Sequence, residues 1–166
     1  MMSMMRPLVL VGMIALVAAP AAAQTVAGTS CSTIGGKLNE FILPQASAPT
    51  DPFGRILGTV KGSLEGSITA FLTTFVPSPS GDVSVTNNHA FVTLEGNQLF
   101  TRGAAYWTWI KDGYYQVDMT LVIAGGTGKY VNATGSIHLL GVGNAVGPGT
   151  GQFVDEYHGQ ICIPAQ

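Results

Sequence analysis

Charged residues are scarce in this chain of 166 residues. Lys, Arg, Asp and Glu together make up 10% of the sequence, against a norm of about 25% in soluble domains. The few charges are evenly spread and form no basic stripe, which argues against nucleic acid or an anionic membrane surface as a partner. Glycine is abundant, with 22 residues. The surface must therefore be covered largely by Ser, Thr, Asn, Gln and Gly.

Long apolar runs are absent except at the N-terminus. One positive charge, Arg6, precedes the uncharged run Pro7–Ala23, and small residues at Ala21 and Ala23 fit the A-x-A cleavage rule. We therefore predict a signal peptide over residues 1–23 and a secreted or periplasmic protein, with no membrane contact after cleavage. The alternative, a transmembrane anchor, needs about 20 apolar residues; this run is shorter and is broken by Pro20.

Cysteine is limited to Cys31 and Cys162, near opposite ends of the mature chain. Because an exported protein meets an oxidising compartment, two cysteines predict a single disulfide. The alternative is a lipid-modified Cys31 at the mature N-terminus. No Leu stands three places before Cys31, and the apolar run ends well upstream of it.

Helical periodicity is absent after residue 23, and the chain instead shows strand and turn chemistry. Residues 24–53 contain Pro44, Pro49 and Pro52 and predict an irregular N-terminal arm. Residues 54–166 predict an all-β barrel or sandwich domain, because long segments rich in β-branched and aromatic residues alternate with turns. The predicted strands are Arg55–Lys61, Ser63–Val76, Val83–Leu94, Gln98–Ile110, Tyr114–Ala124, Gly135–Val142 and Gln152–Ile163.

The dipeptide Asp112-Gly113 predicts a two-residue hairpin turn, because both positions favour positive φ. A simple register then pairs Thr108 with Val117 on an apolar face. It pairs Trp107 with Asp118 on a face that mixes indoles with polar groups. Three interpretations of this mixed face stay open: solvent-facing surface, a subunit contact, or the lining of a ligand cavity. For the last, the candidate ligand-binding residues are Glu65, His89, Arg102, Trp107, Trp109 and Asp118.

A glycine-rich segment follows the sixth predicted strand. Its glycines allow a tight reversal, its tyrosine can fold back to close a barrel end, and its alanine and last glycine keep the next strand close. The residues of this structural motif are Gly125, Gly126, Gly128, Tyr130, Ala133 and Gly135. With the C-terminal segment 157–162, the motif resembles the bacterial secreted branch of the allene oxide cyclase and dirigent-like barrels.

The resemblance implies an eight-stranded antiparallel barrel (calycin-like, allene oxide cyclase-like) with an apolar interior, often packed as a homotrimer through its outer wall. Family members with known roles cyclise or couple hydrophobic small molecules, mostly by shaping a cavity. Their active residues vary among branches, so the resemblance carries no catalytic residue onto this sequence, and the catalytic residues stay unknown.

Motifs for other chemistry fail on inspection. The segment Gly128-Lys129 is followed by Tyr130 rather than by the Ser or Thr of a phosphate loop, and no Gly-x-Ser-x-Gly elbow occurs. The histidines lack metal-type spacing, so the sequence predicts no metal and no cofactor. Asp155 and Glu156 are adjacent on a strand and point to opposite faces.

Three functional hypotheses follow from the sequence. The chain is a secreted module that binds a small hydrophobic molecule inside the barrel; it is a cyclase or isomerase acting on such a molecule; or it is a structural or surface-assembly protein with a filled barrel. An eight-stranded barrel is just wide enough either to be filled by side chains or to hold one ligand.

Overall fold

The computed structural model describes residues 28–43, 54–145 and 150–165. The predicted signal peptide (residues 1–23) and residues 24–27 and 44–53 of the predicted arm lie outside these residues. No helix in the described ranges is long and apolar enough to cross a membrane.

Eight strands follow one another in chain order, and each pairs antiparallel with the next. The last strand pairs with the first, so the sheet closes into a barrel, as predicted. Along each strand buried side chains alternate with exposed ones, which places alternate residues inside the barrel. The strands are β1 (Thr29–Leu43), β2 (Arg55–Gly62), β3 (Gly66–Pro77), β4 (Val83–Thr93), β5 (Gln98–Lys111), β6 (Tyr114–Gly126), β7 (Thr134–Ala145) and β8 (Gly151–Pro164).

The first strand corrects the prediction of an irregular arm over residues 24–53. Residues 29–43 form β1, which pairs with both β2 and β8, so the barrel begins at Thr29 and not at residue 54. The alternation in β1 is hidden because two of its inward positions are not apolar. Gly36 and Glu40 interrupt the inward series of Ile34, Leu38 and Ile42.

The β5–β6 hairpin has the predicted turn but a different register. Asp112 and Gly113 adopt φ values of 48° and 78°, as expected for this turn. Lys111 pairs with Tyr114, but an irregularity between Trp109 and Lys111 then shifts the ladder by one residue. The predicted register is therefore wrong beyond the turn.

Because of this shift, most residues of β5 beyond the irregularity pair with a residue of β6 one position away from the predicted partner. Trp107 pairs with Val117 inside the barrel, whereas Asp118 pairs with Tyr106 on the outer wall. The bulge absorbs one residue of β5, so the two apolar series of β5 and β6 meet on the same side. The predicted neighbours Trp107 and Asp118 consequently lie on opposite faces of the sheet.

One end of the barrel, which we call the disulfide end, is closed by the glycine-rich motif. Gly125 and Gly128 have positive φ, and a short 3-10 helix (Gly128–Tyr130) turns the Tyr130 ring into the core. The buried Tyr157 hydroxyl accepts a hydrogen bond from the Leu64 backbone N–H at 2.9 Å. The prediction that Tyr130 folds back at a barrel end is confirmed.

The same end carries the disulfide. Cys31 on β1 and Cys162 on β8 are bonded, with Cα atoms 3.9 Å apart, which confirms the predicted pairing. The bond joins residues 131 positions apart in the chain. The opposite end, which we call the hairpin end, carries the Asp112-Gly113 turn and the turn at residues 78–82.

Candidate functional site

The six candidate ligand-binding residues do not form one site. His89 and Trp107 point into the barrel and are 3% and 2% exposed. Glu65 lies in the β2–β3 turn, where it pairs with Lys61 at 3.1 Å, and Arg102 is exposed on β5. The predicted mixed face is thus divided between the interior and the outside.

Trp109 and Asp118 are also outside. The Trp109 side chain is 46% exposed and packs against Gly81 in the turn at the hairpin end. Its backbone N–H donates to Asp82 Oδ1 at 2.8 Å. Asp118 lies 2.8 Å from His138 Nε2 on the outer wall, where the ring of His138 meets that of His158 edge-on.

Two depressions of about 550 Å³ each open on the outer wall and on the rim of the barrel. Outward side chains such as Tyr106, Thr108 and Asp118 line much of the first. The second lies over the glycine-rich motif, beside Val131 and Asn132.

A set of polar residues lies inside the barrel, and only two of its members, His89 and Trp107, are among the candidates predicted from the sequence. Eight buried side-chain nitrogen and oxygen atoms have no hydrogen-bond partner within the described residues. In folded proteins nearly all buried polar groups are paired, so each exception needs an explanation. We call these residues the interior polar set; they are Glu40, Asn87, His89, Thr93, Thr101, Trp107 and Asp155.

Two carboxyl groups on adjacent strands stand out in the interior polar set. Glu40 on β1 pairs with Phe153 on β8, and Asp155 is the next inward residue along β8. The two side chains are therefore diagonal neighbours on the inner face. Glu40 is 5% exposed and Asp155 is 3% exposed.

Burial shapes the protonation of both groups. Burial, and secondarily the charge of Asp155, raises the pKa of Glu40 to about 8. Burial raises the pKa of Asp155 to about 6. At neutral pH the pair therefore holds a protonated Glu40 beside an ionised Asp155, an arrangement that can both donate and accept a proton.

His89 lies on β4 opposite Thr101 of β5, and its ring stacks near Phe91 with centroids 6.2 Å apart. Burial lowers the pKa of His89 to about 3, so the ring is neutral near pH 7. Asn87, the preceding inward residue, donates only a long contact to Met119 Sδ at 3.5 Å. This region of the interior is polar but carries no charge.

Inward glycines make room for several of the large inward side chains. Gly141 faces Asp155 across β7 and β8, and Gly103 faces Asn87 across β4 and β5. A Cβ at Gly141 would collide with Asp155 Oδ1, and one at Gly103 would collide with Asn87 Oδ1. Each polar side chain therefore lies flat over its glycine partner.

An aromatic group borders the carboxyl pair towards the hairpin end. The Trp107 ring lies 5.0 Å from that of Phe153 and 6.0 Å from that of Tyr115, measured between centroids. The edge of Phe75 meets Trp107 at 6.1 Å. Because Phe153 is the cross-strand partner of Glu40, carboxyl and aromatic groups share one region of the interior.

Sequence reasoning missed Glu40 because it assigned β1 to an irregular arm. It placed Asp155 and Glu156 on opposite faces, and the structure agrees: Asp155 is buried, and Glu156 pairs with Lys37 outside at 3.4 Å. The usable signal was the series Phe153, Asp155, Tyr157, in which a carboxylate occupies the position between two inward aromatics.

Comparison of the chain with protein-family models, curated proteins and solved structures found no match.

Proposed function

We propose that this protein is a secreted or periplasmic barrel that holds a small, largely hydrophobic molecule in its interior. The observation that carries the proposal is the interior polar set, whose buried atoms lack hydrogen-bond partners among the described residues. Binding sites for small molecules combine apolar walls with a few polar groups of this kind. The resemblance to allene oxide cyclase and dirigent-like barrels supports the same function.

Unpaired polar atoms inside a protein destabilise it. A buried donor or acceptor without a partner costs about 1–3 kcal/mol. A ligand whose polar groups reach Glu40, Asp155 or the Trp107 Nε1–H would satisfy these atoms. Its apolar part would contact the aromatic group around Trp107. The Cys31–Cys162 bond is compatible with an oxidising compartment.

A ligand screen tests the proposal on the disulfide-bonded chain that begins at residue 24. A Trp109→Phe background leaves Trp107 as the single reporter indole, and we expect its emission to respond to fatty-acid, terpenoid or phenolic ligands. At 100 times Kd a ligand should raise the free energy of unfolding by about 2.7 kcal/mol. A screen without any fluorescence or melting shift would reject interior binding.

A second candidate function is a cyclase or isomerase, and the carboxyl pair favours it. Glu40 and Asp155 have separated pKa values near neutrality, which suits one acid and one base. If the barrel converts its ligand, Glu40→Gln and Asp155→Asn should abolish turnover while ligand binding persists. Bound ligand recovered unchanged after long incubation with the wild type would leave only the binding function.

A third candidate is a structural or surface-assembly role, favoured by apolar side chains on the outer wall. Val142 on β7 and Val154 on β8 are exposed and directly paired. Phe41 on β1 and Leu57 on β2 are also exposed and directly paired. The resemblance implies a homotrimer. Sedimentation analysis tests this: a trimer together with a negative ligand screen would favour assembly, and a monomer at high concentration would count against it.

A further inference from the structure

The barrel interior holds acidic side chains, and no basic side chain of Lys or Arg within the described residues balances them. The buried residues that can carry charge include the carboxyl groups of Glu40 and Asp155 and the imidazole of His89, but no Lys or Arg of the described ranges is buried. Lysine side chains instead form ion pairs on the outside, such as that of Lys37 with Glu156. The guanidinium of Arg55 lies over the ring of Phe71.

The other titratable groups near the carboxyl pair supply no positive charge. Burial lowers the pKa of His89 to about 3, and burial raises the pKa values of Tyr130 and Tyr157 from the ordinary value of a tyrosine. All three are therefore neutral between pH 6 and 8. The flanking strands β2 and β7 add only aliphatic residues and glycine to the inner face, namely Ile56, Gly58, Val60, Ile137, Leu139, Gly141 and Gly143.

The surroundings of the carboxyl pair suit a cation. Glu40 Oε1 and Asp155 Oδ1 are buried acceptors without a hydrogen-bond donor in the described part of the chain. Phe153 is the cross-strand partner of Glu40 and the inward residue before Asp155, and its ring centroid lies 5.0 Å from that of Trp107. Aromatic faces attract cations, most strongly where water is excluded. Acceptors and aromatic rings therefore surround the same part of the interior.

We propose that the molecule held in the barrel is a small lipophilic amine, whose ammonium group binds between Glu40 and Asp155 and whose apolar part packs against Trp107 and Phe153. This inference rests on the interior binding proposed above and names the chemical class of the ligand. The ammonium group donates to both carboxylates and supplies the positive charge that the inner wall lacks.

Binding of a cation at the carboxyl pair should release a proton from Glu40. Near pH 7 Glu40 is protonated in the empty barrel, because burial and Asp155 raise its pKa to about 8. A neighbouring ammonium lowers that pKa, so Glu40 ionises and roughly one proton leaves on binding. Amine affinity should therefore rise from pH 6 to pH 8, by up to about tenfold per pH unit.

The experiment compares matched ligands on the disulfide-bonded mature chain. The probes are 2-phenylethylamine and octylamine, each with the alcohol and the carboxylate of the same skeleton, titrated by calorimetry in buffers of different ionisation enthalpy. We expect the amines to bind at least tenfold more tightly than the alcohols, with proton release. The carboxylates should bind most weakly.

Variants distinguish amine binding at the carboxyl pair from non-specific binding of amines to the barrel. Glu40→Gln should lower amine affinity about tenfold or more and abolish proton release, while alcohol affinity changes little. The control is Glu65→Gln, which removes an exposed carboxylate and should leave amine binding unchanged. Circular dichroism of each variant establishes that the barrel is intact.

The outcomes are distinct. Alcohols or carboxylates that bind as tightly as the amines, or amine binding that Glu40→Gln leaves intact, would overturn the amine inference and leave interior binding in place. Binding confined to fatty acids, terpenoids or phenols would do the same. If no probe and no member of the earlier screen binds, the proposed function fails and the amine inference fails with it.

Discussion

Glu40 makes the stability of this barrel depend on pH in a range where most carboxyl groups have no effect. Its pKa is raised from 4.5 to about 8 in the folded state by burial and by Asp155. The native state therefore holds the proton more tightly than the unfolded chain, and this stabilisation, complete below pH 4.5, is lost as the pH rises to 8. The stabilisation that comes from the raised pKa of Asp155 is lost in the same way, and this loss is complete near pH 6.

We predict that the wild-type barrel loses about 2 kcal/mol of unfolding free energy between pH 6.5 and 8, at about 1.4 kcal/mol per pH unit. His89 does not offset this loss, because its lowered pKa affects stability only below pH 6.5. Glu40→Gln should remove the slope, and urea unfolding at several pH values measures it. Glu65→Gln should retain it; an unchanged slope in Glu40→Gln would contradict the assignment.

At the residue scale, sequence patterns predicted the disulfide, the turn and the barrel-closing tyrosine, because each depends on local chemistry or compartment. They could not predict which polar residues enter the barrel. Trp107 and His89 were candidates beside the external Glu65, Arg102, Trp109 and Asp118. The inward side of a strand is fixed by its neighbours, and a single bulge at residue 110 was enough to separate Trp107 from Asp118.

At the scale of the strands, seven of the eight were predicted from the sequence, and β1 was missed. A strand that contributes Gly36 and Glu40 to the inner face lacks the continuous alternation that reveals a half-buried strand. The same glycines that weaken the pattern are structural necessities. A Cβ at Gly36, for example, would lie 2.8 Å from the Tyr157 hydroxyl oxygen.

The pairing of an inward glycine with a large cross-strand partner predicts that substitutions at the two positions change the free energy of unfolding non-additively. In Gly103→Ala the added methyl would overlap Asn87 Oδ1 and lie 2.5 Å from Leu121 Cδ2. Since both obstacles are side chains, we expect a loss of about 1–3 kcal/mol, part of which Asn87→Ala should restore. Thermal unfolding of the two single variants and the double variant gives the coupling energy.

Gly28→Ala is the matched control for that cycle, because nothing lies within 4 Å of a Cβ added there. It should change the melting temperature little. Strictly additive effects of Gly103→Ala and Asn87→Ala would show that the glycine is not required to accommodate its partner.

At the scale of the whole molecule, the barrel depends on a seam between its two ends. Residues Thr29–Ile42 of β1 pair with residues Gly151–Pro164 of β8, and the Gly28 carbonyl accepts a hydrogen bond from the Ala165 N–H at 2.7 Å. The disulfide lies within this seam. It therefore constrains the unfolded chain without being needed to position the strands.

We predict that Cys31→Ser with Cys162→Ser lowers the free energy of unfolding by up to about 5 kcal/mol, because the bond joins residues 131 positions apart and so closes a very long loop. The barrel should still form at 25 °C, held by the β1–β8 ladder. Urea unfolding followed by circular dichroism measures both effects. Reduced wild type should match the double variant, and equal midpoints for oxidised and reduced protein would contradict the prediction.

The β1–β8 seam also joins the first of the described strands in chain order to the last. Until residues 151–164 are available, β1 and β7 each present a long row of unpaired backbone groups, which are templates for pairing with other chains. A chain interrupted before its final strand is therefore not a smaller version of this protein. It is an open sheet with two unpaired edges, which expose it to aggregation until β8 is added.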